Sequence, residues 1–248
     1  MNFQKRKQII LETLKATGEV DIKRMAAELE TSEITIRRDL NKLAEDGLLY
    51  RTHGGAMQVN LLEIPHDFVN KAARNTEAKD KICRAAAAEI SDGDIVFMDC
   101  GSTVYRLCQF IKSKRIKVIT NSLPVVYELQ NSLVSLNIIG GEFNTERQAV
   151  HGKIANEHIA RYKATKAFLG VDGISRNGLF ANSELEASIT EAFAAHSART
   201  YLLCDESKIG RETYLKFAGL DAIDTVITNS NSEELEYFKK IGVEVIGV

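Results

Sequence analysis

Three stretches carry side chains whose types and spacing could do chemistry. In Gly101-Ser102-Thr103 the glycine lets a backbone come close to a ligand and two hydroxyls can donate. If a helix starts there, its free N–H groups and partial positive charge favour an oxyanion of phosphate type. Capping of the helix by Ser102 would use the same residues for a structural end. Lys208, in Asp205-Glu206-Ser207-Lys208, is the one fixed cation among the strand ends read from the sequence and would strengthen a phosphate contact; an exposed turn lysine is the alternative. In the third stretch, Ser32 to Lys42, Arg38 can bond a guanine edge with two N–H groups and Asn41 suits adenine. Thr35 joins them as a base reader, while Ser32, Arg37 and Lys42 supply hydroxyl and cationic groups for phosphate. A charged solvent face would show a similar composition.

These residues need elements to hold them. Residues 3–16 carry Ile9, Ile10, Leu11 and Leu14 at helical spacing, and Gly18 ends that helix. Asp21 can cap a second helix over 22–29, in which Met25, Ala26 and Leu29 face the same core, and Thr31 or Ser32 caps a third. The third reads as one helix through the stretch 31–50, ending at Gly47. Unrolled at about 100° per residue, it puts Ile36, Leu40 and Leu43 inward and Ile34, Thr35, Arg38, Asn41 and Lys42 outward, with Arg37 on the flank. The alternation over 48–57 around Gly54-Gly55 reads as a hairpin placed where a wing would be. Arg51 and His53 would then lie by the DNA backbone, although His53 could equally be a plain turn residue. Three short helices and a wing make a winged helix-turn-helix over residues 1–57.

Residues 58–75, with Pro65, read as a linker, and Thr76 caps a helix reaching to 90. From there the chain alternates between apolar strands and helices over 76–248. Strands at 95–98, 117–119 and 136–139 end at Asp99 to Thr103, at Thr120-Asn121-Ser122 and at Gly140-Gly141. Further strands occupy 167–174, 201–204, 225–228 and 243–246. The pattern predicts a parallel sheet with helices on both faces, in an α/β domain whose ligands collect at the carboxyl ends of the strands. Neither a Gly-Lys-Ser/Thr phosphate loop nor a Gly-x-Gly-x-x-Gly turn is present, which argues against a nucleotide triphosphate or a dinucleotide.

Composition sets limits. The 248 residues are 44% hydrophobic with a net charge of −2, ample for two cores and unlike a protein that coats nucleic acid over its whole surface. Residues 1–60 hold ten Lys and Arg against nine Asp and Glu, so DNA contact must depend on where the charges sit. Cys83, Cys100, Cys108 and Cys204 lack Cys-x-x-Cys spacing, which fits a reducing cytoplasm and neither a zinc site nor a disulfide frame. The N-terminal apolar run is three residues long, too short for a signal peptide or a membrane span.

Ser32-x-x-Thr35-Ile36-Arg37-Arg38-Asp39-Leu40, then Leu43, then His53-Gly54-Gly55-Ala56, closely resembles the signature of the DeoR family of bacterial transcriptional regulators. The resemblance implies operator DNA as a partner, a homodimer or homotetramer, and a C-terminal sensor similar in fold to sugar-phosphate isomerases, with a phosphorylated sugar as effector and no further cofactor. It implies that Asp99, Gly101, Ser102, Thr103, Thr120, Asn121, Gly140, Gly141, Asp172, Gly173, Glu186 and Lys208 line the effector cleft. Two departures stand out. Where the isomerases have Asp-Gly-Ala-Asp-Glu, this chain has Leu169-Gly170-Val171-Asp172-Gly173, so binding without turnover is expected, against the alternative of a sugar-phosphate isomerase with an accessory domain. And where related regulators carry a basic residue about four positions after Glu186, this chain has Thr190-Glu191.

Overall fold

The computed structural model describes residues 3–45, 49–51, 54–58 and 75–248. The chain divides into two compact units, Met1–Glu63 and Ile64–Val248.

The first unit begins with helix α1 (Phe3–Thr17), closed by Gly18 at φ +79°, a backbone conformation that favours glycine. Strand β1 (Glu19–Asp21), helix α2 (Ile22–Glu28) and helix α3 (Glu33–Glu45) follow, then strands β2 (Leu49–Arg51) and β3 (Gly55–Gln58). Ile10, Leu14, Met25, Ile36, Leu40 and Leu43 form the shared core. Asp21 caps α2 as expected, its Oδ1 accepting from Arg24 N at 2.9 Å. Of the two cap candidates for α3, Ser32 takes the role, accepting from Thr35 N at 3.3 Å.

Helix α3 is described through Glu45, and Gly47, its expected stop, lies outside the described residues. Leu49 and Tyr50 belong to β2, within the expected hairpin. One expectation needs correction here: the wing is larger than a hairpin, because β1 pairs with β3 to give the order β1-β3-β2. A Cβ on Gly55 would fall 1.8 Å from the Val20 carbonyl oxygen, so this glycine serves the close approach of β1 to β3.

The linker residues 59–74 lie outside the described set. In the second unit α4 (Thr76–Ala88) starts after Asn75, which sits at φ +53° and caps without its side chain; Thr76 is the first helical residue and not the cap. The chain continues through β4 (Ile95–Met98), α5 (Ser102–Ile111), β5 (Lys117–Thr120), α6 (Leu123–Leu129) and β6 (Ser135–Ile138). Next come β7 (Glu142–Asn144), β8 (Ala149–His151), α7 (Lys153–Ile159), β9 (Lys166–Leu169), β10 (Gly173–Ser175), β11 (Gly178–Ala181) and α8 (Glu184–Ala195). The unit ends with β12 (Thr200–Leu203), a 3-10 turn at Glu206–Lys208, β13 (Leu215–Ala218), β14 (Thr225–Thr228), α9 (Glu234–Lys240) and β15 (Glu244–Gly247).

Seven of these strands form one parallel sheet in the order β15-β14-β12-β9-β4-β5-β6. Val96 and Met98 of β4 enter one apolar layer, with Leu107 and Tyr201; Phe97 enters the other, with Phe193 and Phe238. That alternation is why helices cover both faces. From β4 the chain builds outward through β5 and β6, then returns to the far side of β4 with β9. The strand order therefore reverses between β4 and β9, and a crevice opens at their carboxyl ends.

Two additions were not read from the sequence. Residues 167–174 are not one strand, since the chain turns at Gly170-Val171-Asp172 and β10 joins β11 and β13 in a small antiparallel sheet. A β7–β8 hairpin also projects between β6 and α7. Among the described residues no helix is long and apolar enough to cross a membrane, and no cluster of His, Cys, Asp and Glu could hold a metal ion.

Candidate functional site

On α3, Ile36, Leu40 and Leu43 are fully buried, while Ile34 is 70% exposed and Arg37, Arg38, Asn41 and Lys42 are also exposed. Asp39, between the two faces, is buried against Arg6 of α1, with contacts of 2.5 and 3.1 Å from Nε and Nη2. This two-pronged pair ties the orientation of α3 to α1. Arg37 lies 3.6 Å from Glu33, and the Lys42 ammonium sits 4.8 Å from the centre of the Phe3 ring. Among the described residues Arg38 has no ion-pair partner. The Ser32 and Thr35 hydroxyls lie 2.9 Å apart, so both are engaged at the helix start. Arg51 has its backbone in β2; its side chain and all of His53 lie outside what is described.

The second unit contains a cavity of about 390 Å³ at the β4/β9 reversal. Asp99, Gly101, Ser102, Thr103, Asp172, Glu186 and Lys208 from the expected set line it. Asp99 crosses the crevice: its two carboxylate oxygens accept from Gly101 N at 2.7 Å and Gly170 N at 2.6 Å. Burial pushes its carboxyl up to about 6 against the pull of those N–H groups. A Cβ on Gly101 would lie 3.0 Å from Asp99 Oδ1 and 3.5 Å from Gly170 Cα, so the crossing leaves no room for side chains.

Ser102 is the first residue of α5 and does not cap it; Gly101 holds the cap position without a side-chain bond. The Ser102 hydroxyl instead faces Lys79 of α4, whose Nζ lies 3.4 Å away. Lys79 is only 5% exposed, and burial lowers its pKa against the opposing pull of Asp205. An ammonium beside a helix N-terminus makes this spot favourable for an anion. Lys208 reaches the same cavity from the 3-10 turn, with Nζ 3.9 Å from Asp172 Oδ1.

Sequence reasoning missed Lys79, Arg147 and Arg211, all of which line the cavity, so Lys208 is not its lone cation. Nothing local marks Lys79, which lies three residues inside an ordinary amphipathic helix. Arg147 sits in the loop of the unforeseen β7–β8 hairpin, and its Nε lies 3.0 Å from Glu186 Oε1 on α8. Thr190, where a base was sought, lines the same cavity, and Arg147 brings a cation there from a different element.

Five expected residues are not among those lining this cavity. The buried Thr120 hydroxyl donates to the Met98 carbonyl at 2.7 Å, and Asn121 Nδ2 donates to the Val150 carbonyl at 3.0 Å. Gly140 N donates to His158 Nδ1, and a Cβ on Gly141 would lie 2.8 Å from the His151 carbonyl oxygen. Gly173 packs against the Arg211 backbone, where a Cβ would meet the carbonyl oxygen at 2.3 Å. The physical reason is topological. The crevice opens between β4 and β9, whereas Thr120 ends β5, Asn121 follows it and the Gly140-Gly141 pair follows β6, one and two strands away.

Comparison with known proteins bears on both units. The DeoR-like helix-turn-helix domain matches residues 6–60, and the DeoR C terminal sensor domain matches residues 74–230. A lactose phosphotransferase system repressor from Lactococcus lactis subsp. lactis is 35% identical over 97% of each chain. An uncharacterized HTH-type transcriptional regulator of Bacillus subtilis (strain 168), FruR, is 30% identical over 97% of each. Among solved structures, ribose 5-phosphate isomerase A from Methanocaldococcus jannaschii superposes with a TM-score of 0.40 at 18% identity, covering 54% of this chain and 55% of that one.

Proposed function

This chain belongs to the DeoR family of transcriptional regulators, and from that premise we propose that it represses a carbohydrate-utilisation operon and that a phosphorylated sugar bound in the second unit modulates its hold on operator DNA. The observation that carries the effector half is the contact between buried Lys79 and Ser102 at the N-terminus of α5, with Lys208 close by. Neutral donors, helix-terminal N–H groups and two ammonium groups at one spot form an arrangement suited to a phosphate monoester. Two relatives named lactose phosphotransferase system repressors support the same reading.

On the DNA side, Arg38, Thr35 and Asn41 read base edges while Arg37, Lys42 and Arg51 grip phosphate, with Ser32 and His53 at the margins of the contact. The division of labour is 1–57 for DNA, 58–75 for connection and 76–248 for sensing. The protein acts in the cytoplasm as a homodimer or homotetramer, because an operator of two half-sites needs two recognition helices. A ligand changes operator affinity only by binding the DNA-competent and incompetent arrangements unequally, so the cavity must be coupled to the separation of those helices.

The cavity binds without isomerising. Moving a proton between adjacent carbons needs a free base and groups that stabilise an enediolate. Here Asp172 is engaged by Lys208 and by Asn182 N, and Glu186 by Arg147. The test is a gel-shift titration on the DNA upstream of the protein's own gene, with and without a panel of phosphorylated sugars. At least one sugar phosphate should shift the midpoint while free phosphate shifts it less, and no sugar phosphate should be consumed. Turnover of ribose 5-phosphate by the purified protein would overturn the sensor reading.

A further inference from the structure

The two ends of the cavity differ in kind. Lys79, Ser102 and Lys208 gather at the N-terminus of α5, with Asp205 close to Lys79. At the other end Arg147 and Glu186 face each other, close to Cys100 and to the Asn121 side chain. Asp99 and its two glycine N–H groups lie between the ends. An anion placed on the Lys79 side therefore leaves its remaining atoms to meet Arg147 and Glu186.

Arg147 and Glu186 both line the cavity. A guanidinium offers only donors and an ionised carboxylate only acceptors. Side by side they fit a pair of neighbouring hydroxyls, each of which can accept from the one and donate to the other. A second phosphate at this spot would be attracted by Arg147 and repelled by Glu186, so the pair gives it no net hold.

We propose that Arg147 is a specificity-determining residue: paired with Glu186, it reads a vicinal diol at the end of the ligand remote from its phosphate, so that the cavity takes a monophosphorylated polyol or sugar and discriminates against a bisphosphate. This assignment rests on the sugar-phosphate reading of the cavity.

The test is calorimetric titration of the full-length protein with inorganic phosphate, ribose 5-phosphate, fructose 6-phosphate and fructose 1,6-bisphosphate. In the wild type at least one sugar monophosphate binds more tightly than inorganic phosphate, and the bisphosphate binds no better than fructose 6-phosphate. Arg147→Met lowers affinity for the monophosphate by roughly ten- to a hundredfold, the worth of a charge-assisted contact, and leaves inorganic phosphate within about twofold. Arg147→Lys, which keeps the charge and loses the fork, recovers part of the loss. Glu186→Gln raises affinity for the bisphosphate relative to the monophosphate.

An equal loss on every probe in Arg147→Met, or no loss on any, overturns the assignment while leaving the phosphate end intact. A melting temperature far below wild type in Arg147→Met passes the decision to Arg147→Lys; unchanged selectivity in that variant overturns the assignment as well. If no probe binds the wild type, the sugar-phosphate reading fails, and the role of Arg147 falls with it.

Discussion

Replacing Lys79 with methionine should move stability and ligand affinity in opposite directions. Lys79 is buried, and loss of water is the largest influence lowering its pKa. Because the folded pKa lies below the unfolded one, the unfolded chain binds more protons in that window, and wild-type stability rises with pH as the solution passes from the folded pKa towards 10.5. Lys79→Met fills a similar volume without the charge, so it should melt at or above the wild-type temperature near neutral pH and lose that part of the alkaline rise. Binding runs the other way. A charge-assisted contact to a phosphate oxygen is worth about 1.5–3 kcal/mol, or roughly ten- to a hundredfold in Kd. Differential scanning calorimetry from pH 7 to 10, paired with titration of the sugar phosphate found in the gel-shift screen, measures both. A variant that melts well below wild type yet binds the ligand unchanged would refute the reasoning, since Lys79 would then be a structural cation and not the anion's partner.

Three further outcomes follow from named contacts. Arg38→Ala should weaken operator binding by about 1–3 kcal/mol and relax base preference, seen as a smaller ratio of operator to random-DNA affinity in fluorescence anisotropy. Gly55→Ala places a methyl group 1.8 Å from the Val20 carbonyl oxygen and should cost the first unit about 1–3 kcal/mol by chemical denaturation; Gly54→Ala meets only Asp21 Oδ2 at 3.9 Å and should stay within about 0.5 kcal/mol. Asp99→Asn turns an amide N–H towards a backbone N–H and should destabilise the second unit by about 1–3 kcal/mol in urea. Since the Asp99 carboxyl is raised to about 6, the wild type loses stability from this group as pH climbs from 4 through 6, and the deficit of the variant should narrow over that range.

The sequence exposed those features whose cause is local. The inward face of α3 was readable because Ile36, Leu40 and Leu43 recur at helical spacing, and Asp21 as a cap because it precedes a short apolar run. The parallel sheet was readable from apolar runs that alternate with helical ones. Strand order was not, since nothing in β4 or β9 announces that the two are neighbours, and without it Thr120 and Gly140 looked as close to the cavity as Ser102. Lys79 and Arg147 escaped for the same reason. Each enters the cavity from an element whose own pattern is ordinary, and only the fold makes them adjacent. Gly55 was seen and misread: a turn and a close strand approach both ask for glycine, and the sequence does not tell them apart.

The wide spacing of the cavity residues bears on events during synthesis. The first unit is complete once about residue 63 has been made, and its three helices make mostly local contacts, so it can fold early. The cavity needs Lys79, Asp99, Arg147, Asp172 and Lys208 together, and the sheet that joins them closes only after β12. A ribosome-bound chain thus has a folded DNA-reading unit well before it can respond to any effector. Truncation before Lys208 should therefore yield a protein that is blind to sugar phosphate, whatever it retains of its grip on DNA.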